Sequence, residues 1–212
     1  MNWIDGVLIA LLLAMVIVGS KKGLIRELMA FVVFFAAIIV SINYIDHFAV
    51  WIYEQLGGSP LTSAFLSFII LLAVSYAVFK LLGLLFYKIA ALKNTGKRDQ
   101  MGGALVGFLR GWLAVSYLTF LVFLLPMPDG FYTSFESSFF GSAVARTIPI
   151  VYDNTSAVHP KRPAFMEQIE STLLVTTNQA DPGSDGLTDD RQKVHSVLRQ
   201  IDRNFNPDYK GP

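Results

Sequence analysis

Four long apolar runs, at residues 3–20, 28–45, 61–82 and 101–125, constrain this chain more than any other feature. A bilayer hydrocarbon core about 30 Å thick is crossed by roughly 20 apolar residues at 1.5 Å rise each. One such run is compatible with a buried helix of a soluble core. Four in succession predict membrane-spanning helices. Spanning strands would instead show shorter segments of alternating polarity. The composition agrees, with 53% apolar and only 16% charged residues and a mean hydropathy of +0.50, above ordinary soluble usage. The chain has no Cys, which excludes disulfides, thiolate metal sites and cysteine nucleophiles. A net charge of +1 gives no basis for a nucleic-acid partner.

The opening Met1-Asn2-Trp3-Ile4-Asp5 carries no Lys or Arg, whereas a cleavable signal begins with a positive segment. The first positive charges, Lys21 and Lys22, follow the run. This order predicts a retained span with its N-terminus outside. The short connections set the remaining topology. The first holds Lys21, Lys22 and Arg26 against Glu27; the second, residues 43–60, holds Asp46 and Glu54 without Lys or Arg; the third holds Lys88, Lys93, Lys97 and Arg98 against Asp99. The basic first and third connections are expected in the cytoplasm and both termini outside, in the periplasm of a bacterium with two membranes. Lys80, near the cytoplasmic end of the third run, is placed to snorkel.

After Pro126-Met127-Pro128 the character of the chain changes. Three parts are expected: a four-span domain (residues 1–125), a surface-associated segment (126–175), and a flexible linker with a short terminal helix (176–212). Residues 131–151 are aromatic-rich but interrupted by Gly141 and Pro149, and are expected to lie partly helical on the outer membrane surface. Residues 163–175 read as an amphipathic helix with Phe165, Ile169 and Leu173 on one side. Residues 176–190 contain Pro182-Gly183-Ser184-Asp185-Gly186 and read as the linker. A last helix near residues 189–204 presents Val194, Val197, Leu198 and Ile201 together.

The segment that opens the fourth run carries the most specific pattern. Gly103, Gly107 and Gly111 recur every fourth residue and form a stripe on which a neighbouring helix can approach closely. Packing inside one bundle and contact between copies of the chain both use such a stripe. Arg110 lies on the same helix, about two turns inside the cytoplasmic boundary. An Arg at mid-bilayer costs about 2.5–3.5 kcal/mol on insertion scales, so it needs a carboxylate, a wet cavity or an escape to the interface. Glu27 is its expected partner, and Asp99 is expected to face Arg26 or Lys22. Alternatively, these charges only pin helix ends to the membrane surface.

These residues also carry a resemblance. Trp3-Ile4-Asp5 matches an opening aromatic-hydrophobic-Asp triplet. Lys22-Gly23-Leu24-Ile25-Arg26-Glu27 matches Arg-Gly-x-x-Arg-Glu, with Lys for the first Arg. Asp99, Gly103, Gly107, Arg110 and Gly111 match the start of a fourth helix, with Gln100 where Arg is common. Over roughly residues 1–150 the sequence resembles the colicin V production protein family. The resemblance implies an inner-membrane protein with four spans, linked to colicin V production or export and to envelope homeostasis. It implies no reaction.

An enzyme is not expected. His47, His159 and His195 are far apart and outside the runs, and no metal-ligand spacing, Gly-x-Ser-x-Gly, HExxH or phosphate-cradling loop occurs. Ser41, Ser67, Ser75 and Ser116 lie within the runs, where hydroxyls bond their own backbone or a neighbouring helix. No cofactor or metal is expected. The expectation is therefore an all-α membrane protein, a four-helix transmembrane bundle that acts by interaction. Its partners would be the lipid bilayer and either a second copy or another membrane or periplasmic protein. A small channel or transporter, with Arg110, Glu27 and Lys80 along a polar path, is the alternative, and a scaffold for a periplasmic partner is a third.

Overall fold

The computed structural model describes residues 2–87, 96–157, 163–178 and 185–209. Among them the chain forms helices α1 (Trp3–Lys22), α2 (Leu24–Asn43), α3 (Ile45–Leu56), α4 (Pro60–Tyr87), α5 (Gly96–Phe123), α6 (Asp129–Glu136), α7 (Gly141–Asn154), α8 (Phe165–Asn178) and α9 (Asp185–Phe205). Four of these, α1, α2, α4 and α5, are long and apolar enough to cross a membrane. The expected all-α membrane architecture is what the chain adopts.

Asn2 starts α1 with a capping box. Its side-chain oxygen accepts the Ile4 and Asp5 N–H groups, while the Asp5 carboxylate accepts the Asn2 N–H, so orphan donors are satisfied on both sides. Gly23 alone separates α1 from α2. Its φ of +83° and ψ of 164° lie in a region that essentially only glycine adopts, at a cost of about 1–3 kcal/mol for a residue with a side chain. The turn splays the two helices apart, and α5 inserts between them, packing on both α1 and α2. α4 packs on α2 and α3. More than half of the most apolar stretch of α5 is buried, against 17–28% for the other three. α5 is therefore the central helix. The outward faces of the four carry Val7, Leu11, Ile17, Val32, Val74, Val78, Leu105 and Leu109, all exposed, as lipid-facing positions require.

The acidic connection expected at residues 43–60 contains a helix. In α3, Ile45, Ala49 and Ile52 are buried at spacings of four and three, and they pack on α4 and α8. Downstream of Pro128, the interrupted segment forms α6 and α7. Its inner face is not left to lipid: Val144, Ala145, Ile148 and Tyr152 are buried, and α7 packs on α5 and α9. Two boundaries also change. Thr176 and Thr177, expected to begin a linker, belong to α8 and are buried. The terminal helix, expected to be short, runs for 21 residues from Asp185. Residues 179–184 of the expected linker, like Lys88, Lys93 and His159, lie outside the described residues.

Aromatic side chains join these elements to the end of α5. Phe120 meets Phe68, Phe165 and Phe205 edge-on, with centroids 5.1–5.8 Å apart. Phe123 meets Phe135 and Phe205 at 4.9 and 5.1 Å. Such pairs add about 0.5–1.5 kcal/mol each beyond burial. Val194, Val197 and Ile201 of α9 are buried with them, on the face that the amphipathic spacing predicts.

Candidate functional site

Three polar constellations sit on this frame, and all three depend on α5. The first is the seam that positions the others. Gly103, Gly107 and Gly111 face α1. A Cβ on Gly103 would lie 2.5 Å from the Gly19 carbonyl oxygen, and one on Gly107 would lie 2.8 Å from the Met15 carbonyl oxygen. At Gly111 it would meet the Met15 Cβ at 2.7 Å. The two backbones touch, so dispersion acts over the whole seam where no hydrophobic drive exists between helices in lipid. The stripe is thus covered within the chain. Gly19, on α1, completes it.

The second constellation lies at the cytoplasmic end of that seam, on the expected sidedness. Glu27, in the first turn of α2, is completely buried, and its Oε1 lies 2.6 Å from the Arg110 Nε; Lys22 Nζ is 3.9 Å from Oε2. Arg110 also reaches the Met15 sulfur at 3.9 Å. The structure thus brings Glu27 and Arg110 together. Charge holds the pair, because neither the Glu27 oxygens nor the Arg110 Nε make a well-aligned hydrogen bond. Asp99 does something the charge pattern does not suggest: its Oδ1 accepts the Leu24 N–H at 2.9 Å, which serves an orphan donor of α2 that Gly23, having no side chain, cannot serve. A Cβ on Gly23 would collide with this carboxylate. Lys22, Gly23, Arg26, Glu27, Asp99 and Arg110 therefore form one junction where α1, α2 and α5 converge.

The third constellation ties the start of α1 to the α6–α7 corner. Asp5 is fully buried; its Oδ1 accepts the Ser138 hydroxyl at 2.6 Å and the Phe140 N–H at 3.2 Å. Ser138 Oγ in turn accepts the Gly141 N–H, and Asn2 donates to the Ser134 carbonyl and to Ser137 Oγ. Trp3 is exposed, with its ring 6.5 Å from Phe131. Sequence reasoning did not find the contact between Asp5 and Ser138, which are 133 positions apart. A carboxylate inside an apolar run was the available signal. On the neighbouring Tyr132, burial pushes the phenol pKa up, against the Met127 N–H that its oxygen accepts.

The hydroxyls within the spans behave as helix glue. Ser116 Oγ donates to the Val144 carbonyl and accepts the Ile148 N–H, which binds α5 to α7. Ser41 bonds the Ile38 carbonyl and meets the Tyr117 hydroxyl at 3.0 Å, and Ser67 donates to the Ser63 carbonyl. Trp112 Nε1 donates to Thr147 at 2.8 Å. No group of three or more His, Asp or Glu with metal-holding geometry occurs among the described residues.

Beside the Glu27–Arg110 pair, α1, α2, α4 and α5 enclose an apolar groove of about 580 Å³, lined by Met15, Phe34, Ile69, Tyr76 and Ala114 among others, with Arg110 as its charged member. The fold and this buried ion pair define a helical membrane protein whose polar groups hold helices in register. The model of the colicin V production protein family matches residues 4–149, and the chain belongs to that family. No curated protein and no solved structure matches it.

Proposed function

We propose that this membrane protein acts by contact, not catalysis, as a multi-pass inner-membrane factor supporting the production or export of colicin V-type toxins and envelope maintenance. The observation that carries this reading is the family match over residues 4–149, which takes in almost the whole of all four candidate spans. The placement of Asp5, Glu27, Asp99 and Arg110 supports it: each joins helices that are distant in sequence. Both termini are assigned to the periplasm on the charge of the short connections.

The test is complementation of a deletion strain carrying a colicin V system. Toxin in the supernatant and survival under detergent challenge should both recover with the wild type, and both should fall with Arg110→Gln at equal membrane abundance. Normal toxin output and normal survival in the deletion strain would remove this reading. The Glu27 and Arg110 atoms without aligned partners, beside the groove, favour a second reading as a small channel or transporter. Solute or proton flux through liposomes holding only the purified protein, abolished by Glu27→Gln, would establish it.

A further inference from the structure

Between α2 and α4, next to the apolar groove, lies a smaller recess of about 200 Å³ lined by Lys22, Arg26, Met29, Ala30, Val33, Tyr76, Lys80 and Gly83. Three of these side chains are cationic and none is acidic. We propose that this recess binds the phosphate headgroup of an anionic glycerophospholipid, with one acyl chain lying in the adjoining groove.

The argument begins with position. Lys22 ends α1, Arg26 lies in the first turn of α2, and Lys80 stands near the last described turns of α4. All three therefore sit at one end of the bundle, at the depth where headgroups meet hydrocarbon. Lys80 is exposed, and its Nζ lies 5.9 Å from the Tyr76 ring centroid. The Lys22 side chain is 46% exposed. Glu27, whose Oε2 lies 3.9 Å from Lys22 Nζ, is completely buried and faces Arg110 at 2.6 Å, so its charge is turned into the bundle while Lys80 stays exposed toward the bilayer. Basic recesses between spanning helices on the cytoplasmic side suit anionic headgroups.

The second part of the argument is what lies next to the cations. A free anion needs only charge, but the walls here are Met29, Ala30 and Val33. Tyr76 lines both this recess and the larger groove, which runs along α4 from Tyr76 through Ala73, Leu72 and Ile69 to Phe65. The eleven residue steps from Phe65 to Tyr76 span about 16 Å of helix, the direction is into the membrane, and the volume of about 580 Å³ falls within the range of ligand sites, roughly 300–1,000 Å³. A polar mouth that opens onto an apolar trough of this length matches a two-part amphiphile. The site requires only that the helices cross a bilayer, so it stands or falls separately from toxin production.

The test uses the full-length protein in neutral detergent and native mass spectrometry. The probes are phosphatidylglycerol and phosphatidylcholine with matched chains, and inorganic phosphate. Phosphatidylglycerol should be retained preferentially. Lys80→Gln should weaken it about five-fold and Lys22→Gln/Lys80→Gln about thirty-fold. Phosphatidylcholine binding should not change, and Lys97→Gln/Arg98→Gln should leave both lipids unaffected. Ala73→Trp, which fills the groove without altering charge, should weaken phosphatidylglycerol as well. Lys80 is exposed and, among the described residues, meets only the Tyr76 ring, so Lys80→Gln tests the site even if changes at Lys22 disturb Glu27. Equal retention of the two lipids, equal loss in the Lys97/Arg98 variant, or displacement of phosphatidylglycerol by equimolar phosphate would each overturn the proposal.

Discussion

Removing the Glu27 carboxylate would leave the Arg110 guanidinium inside the bundle with, among the described residues, only the Met15 sulfur as a partner. Breaking one side of a buried ion pair costs about 3–5 kcal/mol. Glu27→Gln and Arg110→Gln should therefore each lower the thermal midpoint in detergent strongly, and the double variant should cost far less than the sum. The charge swap should recover part of the loss, whereas additive losses would show that the two residues act separately. Glycine substitutions work through space. Gly107→Val must push the backbones of α1 and α5 apart and should cost about 1–3 kcal/mol as overpacking. Gly6→Ala, where an added Cβ meets nothing within 4 Å, should instead stabilise slightly, by about 0.4–1 kcal/mol, and raise the same midpoint. The Glu27–Arg110 pair was legible in the sequence because a charge at bilayer depth demands a partner and few candidates exist. The bond from the Leu24 N–H to Asp99 was not, because pairing by sign says nothing about a backbone donor that a glycine leaves unserved at the start of α2.

The four spans could be read directly at the scale of elements, because lipid thickness sets a length that ordinary soluble helices do not need. α3 was missed for a reason of scale. Twelve residues are too few for a span, and Asp46 and Glu54 drew attention to topology while Ile45, Ala49 and Ile52 already had helical spacing. The apolar faces of α8 and α9 were equally visible, yet an amphipathic pattern says only that a helix is covered, and α5 supplies the cover through Phe120 and Phe123. This attachment is testable. Phe205 is completely buried, and Phe205→Ala should cost about 3–5 kcal/mol. Limited proteolysis should then cut within α9 while the spanning helices stay protected. Resistance equal to that of the wild type would mean that α9 is held by other contacts, Arg203–Glu136 among them.

At the scale of the whole molecule, the absence of Cys makes sidedness directly measurable. Single cysteines at Glu54 and Asn206 should react with a membrane-impermeant maleimide added to intact spheroplasts. A cysteine at Lys97 should react only after lysis, and the opposite pattern would invert the topology. The bundle was readable as a class, but its order was not. Charge counts give the sides of a membrane and say nothing about which helix is central. That role follows from contacts 80 to 95 positions apart, such as Gly19 with Gly103 and Met15 with Arg110. The central place of α5 bears on biosynthesis. The ribosome delivers α1 and α2 before the helix that joins them, so the face of α1 around Gly19 must wait in lipid without its partner until translation has passed residue 123. A chain truncated after α4 would leave a vacant slot between α1 and α2, and a separately expressed α5 is the fragment that should fill it.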